Sequence, residues 1–191
     1  MSKIEIVNRA LMKLGEPPIS SLNDVVFGKS YEIIYDEVKK LLLSVYPWRF
    51  AIDVKKLNRL DEKKKDKFVY LLPNECLFLI KVFGGFRGDD TNLISGYEVF
   101  GNSILCDYDN GVKIEYVKNV SEEYFSALFR EAMAAKLASE LALRIKNSSE
   151  IKQMMENEFY MLIRHAELNN EIEKDLEILP DSSWISARKT W

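Results

Sequence analysis

The spacing of hydrophobic residues predicts helices at both ends of the chain and β-structure in the middle. Ile4, Val7, Leu11 and Leu14 recur every three or four residues, which indicates a first helix. Gly15 is placed to end it, since glycine accepts the backbone conformation found at helix C-termini.

A second helical pattern runs from Asn23 or Asp24 to about Val45. Pro47 ends it, because the residue before a proline is pushed out of helical geometry. The apolar positions follow the i, i+3, i+4 spacing of an amphipathic helix: Tyr31, Ile34, Tyr35, Val38, Leu41, Leu42 and Val45.

The middle of the chain has the short apolar runs of β-strands. Residues 76–83 are the most hydrophobic run, which is typical of a central strand. Gly101-Asn102 and Asn110-Gly111 are tight-turn signals. The lysine-rich segment around residues 63–67 is predicted to be a solvated loop. One small antiparallel sheet is predicted from residues 50–57, 68–72, 76–83, 97–100, 104–106 and 112–117.

Two long helices are predicted after the sheet. Ser121 is placed as the N-cap of the first, which ends near Lys146-Asn147. The second runs from about Ser149 to Glu173, and the short connection makes the pair an antiparallel hairpin.

These elements predict an α+β fold that is mainly a bundle of four helices, with an inserted small antiparallel β-lobe and an extended C-terminal tail. Residues 1–47 and 119–179 are assigned to the bundle, residues 48–118 to the β-lobe and residues 180–191 to the tail.

Composition limits the class of protein. The 191 residues, 47% of them hydrophobic, suit one well-packed domain or one domain with a small lobe. We expect no membrane span and no secretory signal, so the product stays in the cell that makes it. The net charge of −3 argues against general affinity for nucleic acid, which needs a basic surface. Cys76 and Cys106 lie in apolar runs and are interpreted as buried free thiols.

Candidate residues for chemistry are few. His165 is the only histidine in the sequence, so a packing or surface role is favoured over metal binding. Residues 84–88 contain three glycines but match no phosphate-binding loop. Residues 107–111 resemble a calcium loop only faintly, and a hairpin turn explains them. No catalytic residue, cofactor site or metal site is assigned, and the protein is not expected to be an enzyme.

Two hypotheses of other classes stay open on the residues alone. An enzyme would use carboxylates such as Asp89 or Asp107, placed in a cleft that shifts their pKa values. A cytoplasmic nucleic-acid-binding protein would use the lysine-rich segment, with affinity that falls steeply with salt. Its lysines are Lys63, Lys64, Lys65 and Lys67.

The C-terminal tail has an unusual composition. Disordered tails are generally poor in aromatic residues, and tryptophan is enriched at interface hot spots. We therefore expect the tail to anchor a partner, although folding back on its own domain stays open. The anchor residues are Trp184, Ile185, Arg188 and Trp191.

Several segments, taken in order along the chain, carry a family resemblance. They are Pro47-Trp48-Arg49-Phe50-Ala51; Leu72-Pro73 with Cys76-Leu77; Tyr97-Glu98-Val99 with residues 101–107; Phe129-Arg130-Glu131-Ala132 through Leu141-Ala142; and Asp181-Ser182-Ser183-Trp184 with Ala187-Arg188. Together they resemble the bacteriophage head–tail adaptors of the tail tubular protein A type, the portal-proximal ring of short-tailed phages. The chain departs from this pattern at Phe125-Ser126, where phenylalanine-proline is more usual, and in the lysine-rich segment.

The resemblance implies a structural virion protein, a head-to-tail connector without cofactors. It implies a homo-oligomeric ring, commonly a dodecamer, that binds the portal protein and the downstream tail (nozzle) protein. DNA passes through such a ring without specific binding, and no membrane is involved. In that family the helical bundle forms the ring wall, the β-lobe faces the next tail component and C-terminal segments reach the portal. The resemblance also implies that the protein is made in the host bacterial cytoplasm and is then located in the virion.

A ring needs contacts between unlike surfaces of neighbouring copies. The small-residue face of the helix after Ser121 is a candidate for such a contact, and the core of the bundle is the other destination for it. The residues concerned are Ala134, Ala138 and Ala142.

Overall fold

The structure is a computed structural model that describes residues 2–26, 29–84, 93–109 and 111–177. The chain divides into two compact units. The first unit comprises Met1–Ile34 and Phe125–Trp191, and the second comprises Tyr35–Tyr124. The first unit is thus made from both ends of the chain.

The described residues contain four α-helices: α1 (Lys3–Lys13), α2 (Tyr31–Ser44), α3 (Ala127–Ile145) and α4 (Ser149–Glu177). In the first unit, α3 packs against both α1 and α4. The ammonium of Lys13 in α1 lies 3.6 Å from Glu131 in α3 and 2.5 Å from Glu158 in α4, so one charge links the three helices.

The predicted first helix and the C-terminal helical hairpin are confirmed. Gly15 follows α1 with a left-handed φ of +69°, the conformation that ends helices. Asn147, with φ of +47°, lies in the short connection between α3 and α4. The Ser148 hydroxyl then accepts a hydrogen bond from the Ile151 N–H at 3.2 Å, which caps the start of α4.

The second helix begins later than predicted. A two-stranded hairpin, β1 (Val25–Val26) and β2 (Lys29–Ser30), precedes it. The Ser30 hydroxyl accepts a hydrogen bond from the Ile33 N–H at 3.3 Å, so Ser30 is the cap. The prediction of a start at residue 23 or 24 was wrong because several short polar residues here satisfy the same capping rule.

The start of α3 also differs from the prediction. Ser126 is its N-cap, with the hydroxyl accepting a hydrogen bond from the Phe129 N–H at 3.2 Å. Ser121 instead precedes a 3-10 turn at Glu122–Tyr124, and its hydroxyl donates to the Glu123 carboxylate at 2.9 Å.

The middle of the chain forms two separate antiparallel sheets. The strands are β3 (Ile52–Leu57), β4 (Arg59–Lys64), β5 (Lys67–Leu71), β6 (Cys76–Gly84), β7 (Tyr97–Phe100), β8 (Ser103–Cys106) and β9 (Val112–Lys118). One sheet has the order β3-β9-β6, and the other has the order β4-β5-β8-β7.

The prediction of a mainly helical bundle was therefore wrong, although the α+β class holds. With seven strands among the described residues between Ile52 and Lys118, the β-structure is too extensive to be a small insertion in a bundle. The prediction of one sheet was also wrong. Alternating residues indicate strands but not their partners, and β3 pairs with β9, the strand most distant from it within this region.

The lysine-rich segment is a β-hairpin and not the predicted loop. β4 turns at Lys65-Asp66, where both residues have left-handed φ values of 53° and 60°, and the chain returns as β5. All six residues of β4 are exposed, and β4 is an edge strand. Its charged side chains stay in water while its backbone pairs with β5, which explains how such a polar sequence forms a strand.

The central strand of the three-stranded sheet is β9, whereas β6 was predicted to be central. β9 pairs with β3 on one side and β6 on the other. Among the described residues, the other side of β6 makes a single bridge, from Phe83 to Leu93. Both sheets contribute to the core of the second unit, which contains Leu57, Tyr70, Leu72, Val82, Ile94, Ile104, Cys106, Val112, Ile114 and Tyr116.

Candidate functional site

The predicted partner anchors lie outside the described residues, which end at residue 177. These anchors are Trp184, Ile185, Arg188 and Trp191. Residues 85–90, which hold most of the glycine-rich segment and the Asp89-Asp90 pair, also lie outside, as does Asn110.

The alanine face of α3 lies inside the chain. Ala134, Ala138 and Ala142 are each 0% exposed, and α3 packs against α1 and α4. Small side chains at these positions let neighbouring helices approach closely. The three alanines therefore have no exposed area to offer another subunit, and they belong to the core of the first unit.

Two lysines of the basic run share one carboxylate of their own sheet. The Nζ atoms of Lys65 and Lys67 each lie 3.0 Å from an oxygen of Glu98 in β7. Hydrogen bonds from Lys67 and Lys65 hold the pKa of Glu98 below its ordinary value. These exposed ion pairs add little to the stability of the fold. They do, however, pair both ammonium groups with a carboxylate of the same sheet.

The other cations of the hairpin lie over aromatic rings. The Nζ of Lys63 is 4.6 Å from the centroid of the Phe68 ring, and the guanidinium of Arg59 is 5.4 Å from it. The Nζ of Lys64 is 5.7 Å from the centroid of Phe100. All of these distances are within cation–π range. The basic run is therefore integrated into the surface of its own four-stranded sheet.

Among the described residues, the candidate groups for catalysis or metal binding do not come together. Asp107 and His165 are both exposed and belong to different units. Cys106 is buried and Cys76 half-buried, and both are free thiols. Burial raises the pKa of each thiol, which is the opposite of what a cysteine nucleophile needs. Within the described parts of the chain, no three His, Cys, Asp or Glu side chains are grouped so that they could hold a metal ion.

A buried ionic cluster in the second unit was missed by sequence reasoning. The Nζ of Lys39 in α2 lies 2.7 Å from a carboxylate oxygen of Glu122, and the two side chains are only 7% and 13% exposed. The hydroxyl of Tyr35 donates a hydrogen bond to the same oxygen at 3.1 Å. The partners are 83 and 87 positions apart in sequence, so no local pattern reveals them.

The electrostatics of this cluster follow from its burial. Burial alone raises the pKa of Glu122, but the hydrogen bond and the positive charge of Lys39 outweigh it, so the pKa lies below its ordinary value. Burial and the neighbouring Glu122 raise the pKa of Tyr35. The lowered pKa favours the ionised carboxylate, and Lys39 and Tyr35 both donate to one of its oxygens, which fits a structural role and not that of a proton-transfer group.

A second ionic group lies on the three-stranded sheet. Lys118 in β9 donates to Asp53 in β3 at 2.8 Å, and this hydrogen bond holds the pKa of Asp53 below its ordinary value. The carboxylate of Glu75 lies 3.2 Å from the Nζ of Lys55 and accepts a hydrogen bond from Tyr116 at 3.3 Å. These contacts link β3 to β9 and link both strands to Glu75.

Each of the two units has an open groove among its described residues. The first, of about 360 Å³, is lined by Glu5, Asn8, Arg9, Met12, Glu16 and Pro18. The second, of about 280 Å³, is lined by residues 55–58 and 71–75. The described lining of neither groove contains a serine, cysteine or histidine, so neither offers a nucleophile with its base.

Several large hydrophobic side chains are exposed on each of α2 and α4. Ile33 and Leu41 of α2, and Val45 just after it, are 49%, 51% and 59% exposed. On α4 the exposed set is Met154, Tyr160, Met161, Leu168 and Ile172. Single exposed apolar residues are ordinary, but these recur along one face of each helix. In the sequence of α4, these exposed residues could have been noticed as a second apolar stripe. It lies beside the stripe that contains the buried Met155 and Phe159.

No helix in the described part of the chain combines the length and the apolarity needed to cross a membrane. No protein-family model matches the chain, and no curated protein matches it.

Proposed function

We propose that this protein is a structural component of a bacteriophage virion. In this proposal it is a head-to-tail connector, without enzymatic turnover. Copies of the chain form a ring between the portal protein and the downstream tail protein, and DNA passes through the ring. The proposal rests on the family resemblance of the sequence, together with the roles that the resembling residues have in the fold.

The observation that carries the proposal is that residues within the resembling segments hold different parts of the chain together by hydrogen bonds. Leu72 and Asn102 belong to two different segments of the resemblance. The Leu72 N–H donates to the Asn102 carbonyl at 3.0 Å, and the Asn102 side-chain amide donates back to the Leu72 carbonyl at 3.4 Å. Segments that are 30 positions apart are thus held together by reciprocal hydrogen bonds.

Trp48 also holds two parts of the chain together. It is 1% exposed, and its indole N–H donates to the Leu42 carbonyl at 2.8 Å, so the segment after α2 folds back on that helix. Its ring lies 5.9 Å from that of Phe50, in a stacked arrangement. The proline before Trp48 stops the helix, and the tryptophan fixes where the chain goes next.

The departure at Phe125-Ser126 is compatible with the same fold. A serine that accepts a hydrogen bond from the helix start and a proline in the first turn are two ways of beginning a helix. Ser126 caps α3, so the chain keeps the helix start where the family more often has proline.

The surface chemistry also supports a role in assembly. A connector works through contacts between copies and with neighbouring proteins, and the exposed apolar faces of α2 and α4 provide surface for such contacts. The net charge of −3 suits a passage that must not retain DNA. The nucleic-acid-binding alternative has less support, because Lys65 and Lys67 already share Glu98.

The proposal is tested by binding to the portal protein of the same virus. Immobilised portal is expected to retain the full chain. A truncation after Pro180 is expected to keep its helical circular dichroism but to lose portal binding, because it lacks Trp184 and Trp191. The double variant Trp184→Ala/Trp191→Ala is expected to bind at least tenfold more weakly, about 1.4 kcal/mol.

Tyr124→Ala is the matched control, since Tyr124 is a large aromatic residue that is 59% exposed in the second unit. It is expected to bind portal like the wild type. Unchanged binding of the truncation would contradict the assignment of the anchors. Failure of the full chain to bind portal would contradict the proposed function.

A further inference from the structure

The chain crosses between the two units twice. The first unit comprises Met1–Ile34 and Phe125–Trp191, so the whole of the second unit separates its two segments in sequence. The first crossing lies within α2, and the second follows the 3-10 turn at Glu122–Tyr124. The two segments of the first unit can pack together only when the intervening chain brings their ends close, and closing such a loop costs entropy.

The buried ionic cluster of the second unit lies next to both crossings along the chain. Tyr35 is the first residue of the second unit, and Glu122 lies two residues before its last, Tyr124. The Tyr35 hydroxyl donates to a Glu122 carboxylate oxygen at 3.1 Å, and Lys39, one helical turn further along α2, donates to the same oxygen at 2.7 Å. The cluster therefore holds together the points where the chain enters and leaves the second unit.

Burial makes these contacts suitable for holding two parts of the chain. The side chains of Lys39 and Glu122 are only 7% and 13% exposed, and Tyr35 is fully buried. Both hydrogen bonds involve a charged group, and such bonds are stronger than neutral ones. Separating Lys39 from Glu122 would leave buried charges without each other, which is costly.

The consequence for the first unit follows from the length of the loop to be closed. Further from the crossings, Ile52 of β3 pairs with Val117 of β9. If that pair alone set the closure, the chain connecting the two segments of the first unit would be several times longer than it is with Tyr35 held to Glu122. The probability of closing a loop falls roughly as the 3/2 power of its length, so the cluster raises this probability on the order of tenfold.

We propose that Tyr35, Lys39 and Glu122 form a clasp that couples the folding of the first unit to that of the second. The clasp keeps the ends of Met1–Ile34 and Phe125–Trp191 near each other, so that α1 packs against α3 at a smaller cost in entropy. The first unit is therefore more stable with the clasp closed, although none of the three residues belongs to it. This clasp is independent of the proposed function, because it concerns how the chain folds and not what it binds.

The test lengthens one crossing without removing any residue of the clasp. A flexible glycine-serine insertion of about 20 residues is placed between Tyr124 and Phe125 of the full chain. Amide hydrogen exchange in α1 reports whether the first unit is closed, since a helix of 11 residues is marginal unless it is packed against another element. With the clasp closed, the insertion lengthens a short connection severalfold. Exchange in α1 is therefore expected to become faster on the order of tenfold.

The same insertion is then made in Glu122→Gln, which weakens the clasp. The connection in this variant is already long, so the insertion is expected to make exchange in α1 only about twofold faster. Comparing each insertion with its own parent cancels the general loss of stability that Glu122→Gln causes. Tyr35→Phe removes one hydrogen bond and keeps the ring, so it is expected to give an intermediate value. It replaces Glu122→Gln if that variant does not fold.

An identical insertion at the Lys65-Asp66 turn is the matched control. This turn joins β4 to β5 within the second unit and is distant in sequence from both crossings. The control is expected to leave exchange in α1 unchanged in both backgrounds. Two results would overturn the inference. One is an equal effect of the insertion after Tyr124 in the wild type and in Glu122→Gln, and the other is no effect of this insertion in the wild type.

Discussion

The ion pair between Lys39 and Glu122 shows what single residues contribute when they are buried. Two charges at 2.7 Å with little exposure are expensive to desolvate, and they persist because each satisfies the other. The Tyr35 hydroxyl supplies a further hydrogen bond to the carboxylate. Removing the acid is therefore costly, even though the pair as a whole adds little to stability.

Glu122→Gln is expected to lower the free energy of unfolding by about 2 kcal/mol at pH 7, because it removes the negative charge beside a buried ammonium. The pKa of Glu122 is lower in the folded protein than in the unfolded chain. Its contribution is therefore complete above the pKa of the unfolded chain and is lost as the pH falls through the lower pKa of the folded protein. Urea denaturation at several pH values measures both effects.

Glu123→Gln is the control, since the neighbouring Glu123 is exposed. Its unfolding free energy is expected to stay within about 0.5 kcal/mol of wild type. If the difference between wild type and Glu122→Gln did not shrink toward acid pH, the buried ion pair would not be the cause.

At the scale of elements, the periodicity of the sequence predicted most helices and strands but placed some starts incorrectly. Ser121 and Ser126 obey the same rule for capping residues, and only the hydrogen bond to Phe129 shows which one caps α3. The lysine-rich segment was missed as a strand because β-propensity describes half-buried positions, whereas every residue of β4 is exposed.

Ser126→Ala is expected to lower the free energy of unfolding by about 1 kcal/mol, because the Phe129 N–H loses its cap. Ser121→Ala removes only an exposed contact with Glu123 and is expected to change stability by less than about 0.5 kcal/mol. Chemical denaturation of the two variants compares them directly. Equal losses, or a larger loss for Ser121→Ala, would contradict the assignment of the cap.

For the whole molecule, the distribution of charge indicates how strongly the protein is expected to bind DNA. The net charge is −3, and Lys63, Lys64, Lys65 and Lys67 contact rings or Glu98 in their own sheet. Nucleic-acid affinity depends on releasing counterions from many phosphates, which needs a basic surface. A connector through which DNA passes works best when it does not retain the DNA.

The full chain is expected to give no mobility shift with duplex DNA at low salt. A variant with glutamine at all four lysine positions is expected to behave in the same way, because the four ammonium groups already contact rings or Glu98 in their own sheet. Fluorescence anisotropy over a salt series provides a second measurement. A shift that falls steeply with salt and is absent from the glutamine variant would favour the nucleic-acid-binding hypothesis.

Local patterns in the sequence account for many of the individual elements of this protein. The turn at Gly101-Asn102, the helix ending at Gly15 and the two C-terminal helices follow from backbone preferences and side-chain spacing, which act over a few residues. The resemblance to connector proteins also came from the sequence, through short segments kept in order.

Which segments pair or pack with one another is seen in the tertiary structure alone. It divided the strands into two sheets, buried Ala134, Ala138 and Ala142 in the core, and joined Lys39 to Glu122 across 83 positions. It also left one of the two apolar stripes of α4 exposed. Such outcomes depend on packing between segments distant in sequence, and a local pattern carries no record of which partner each segment meets.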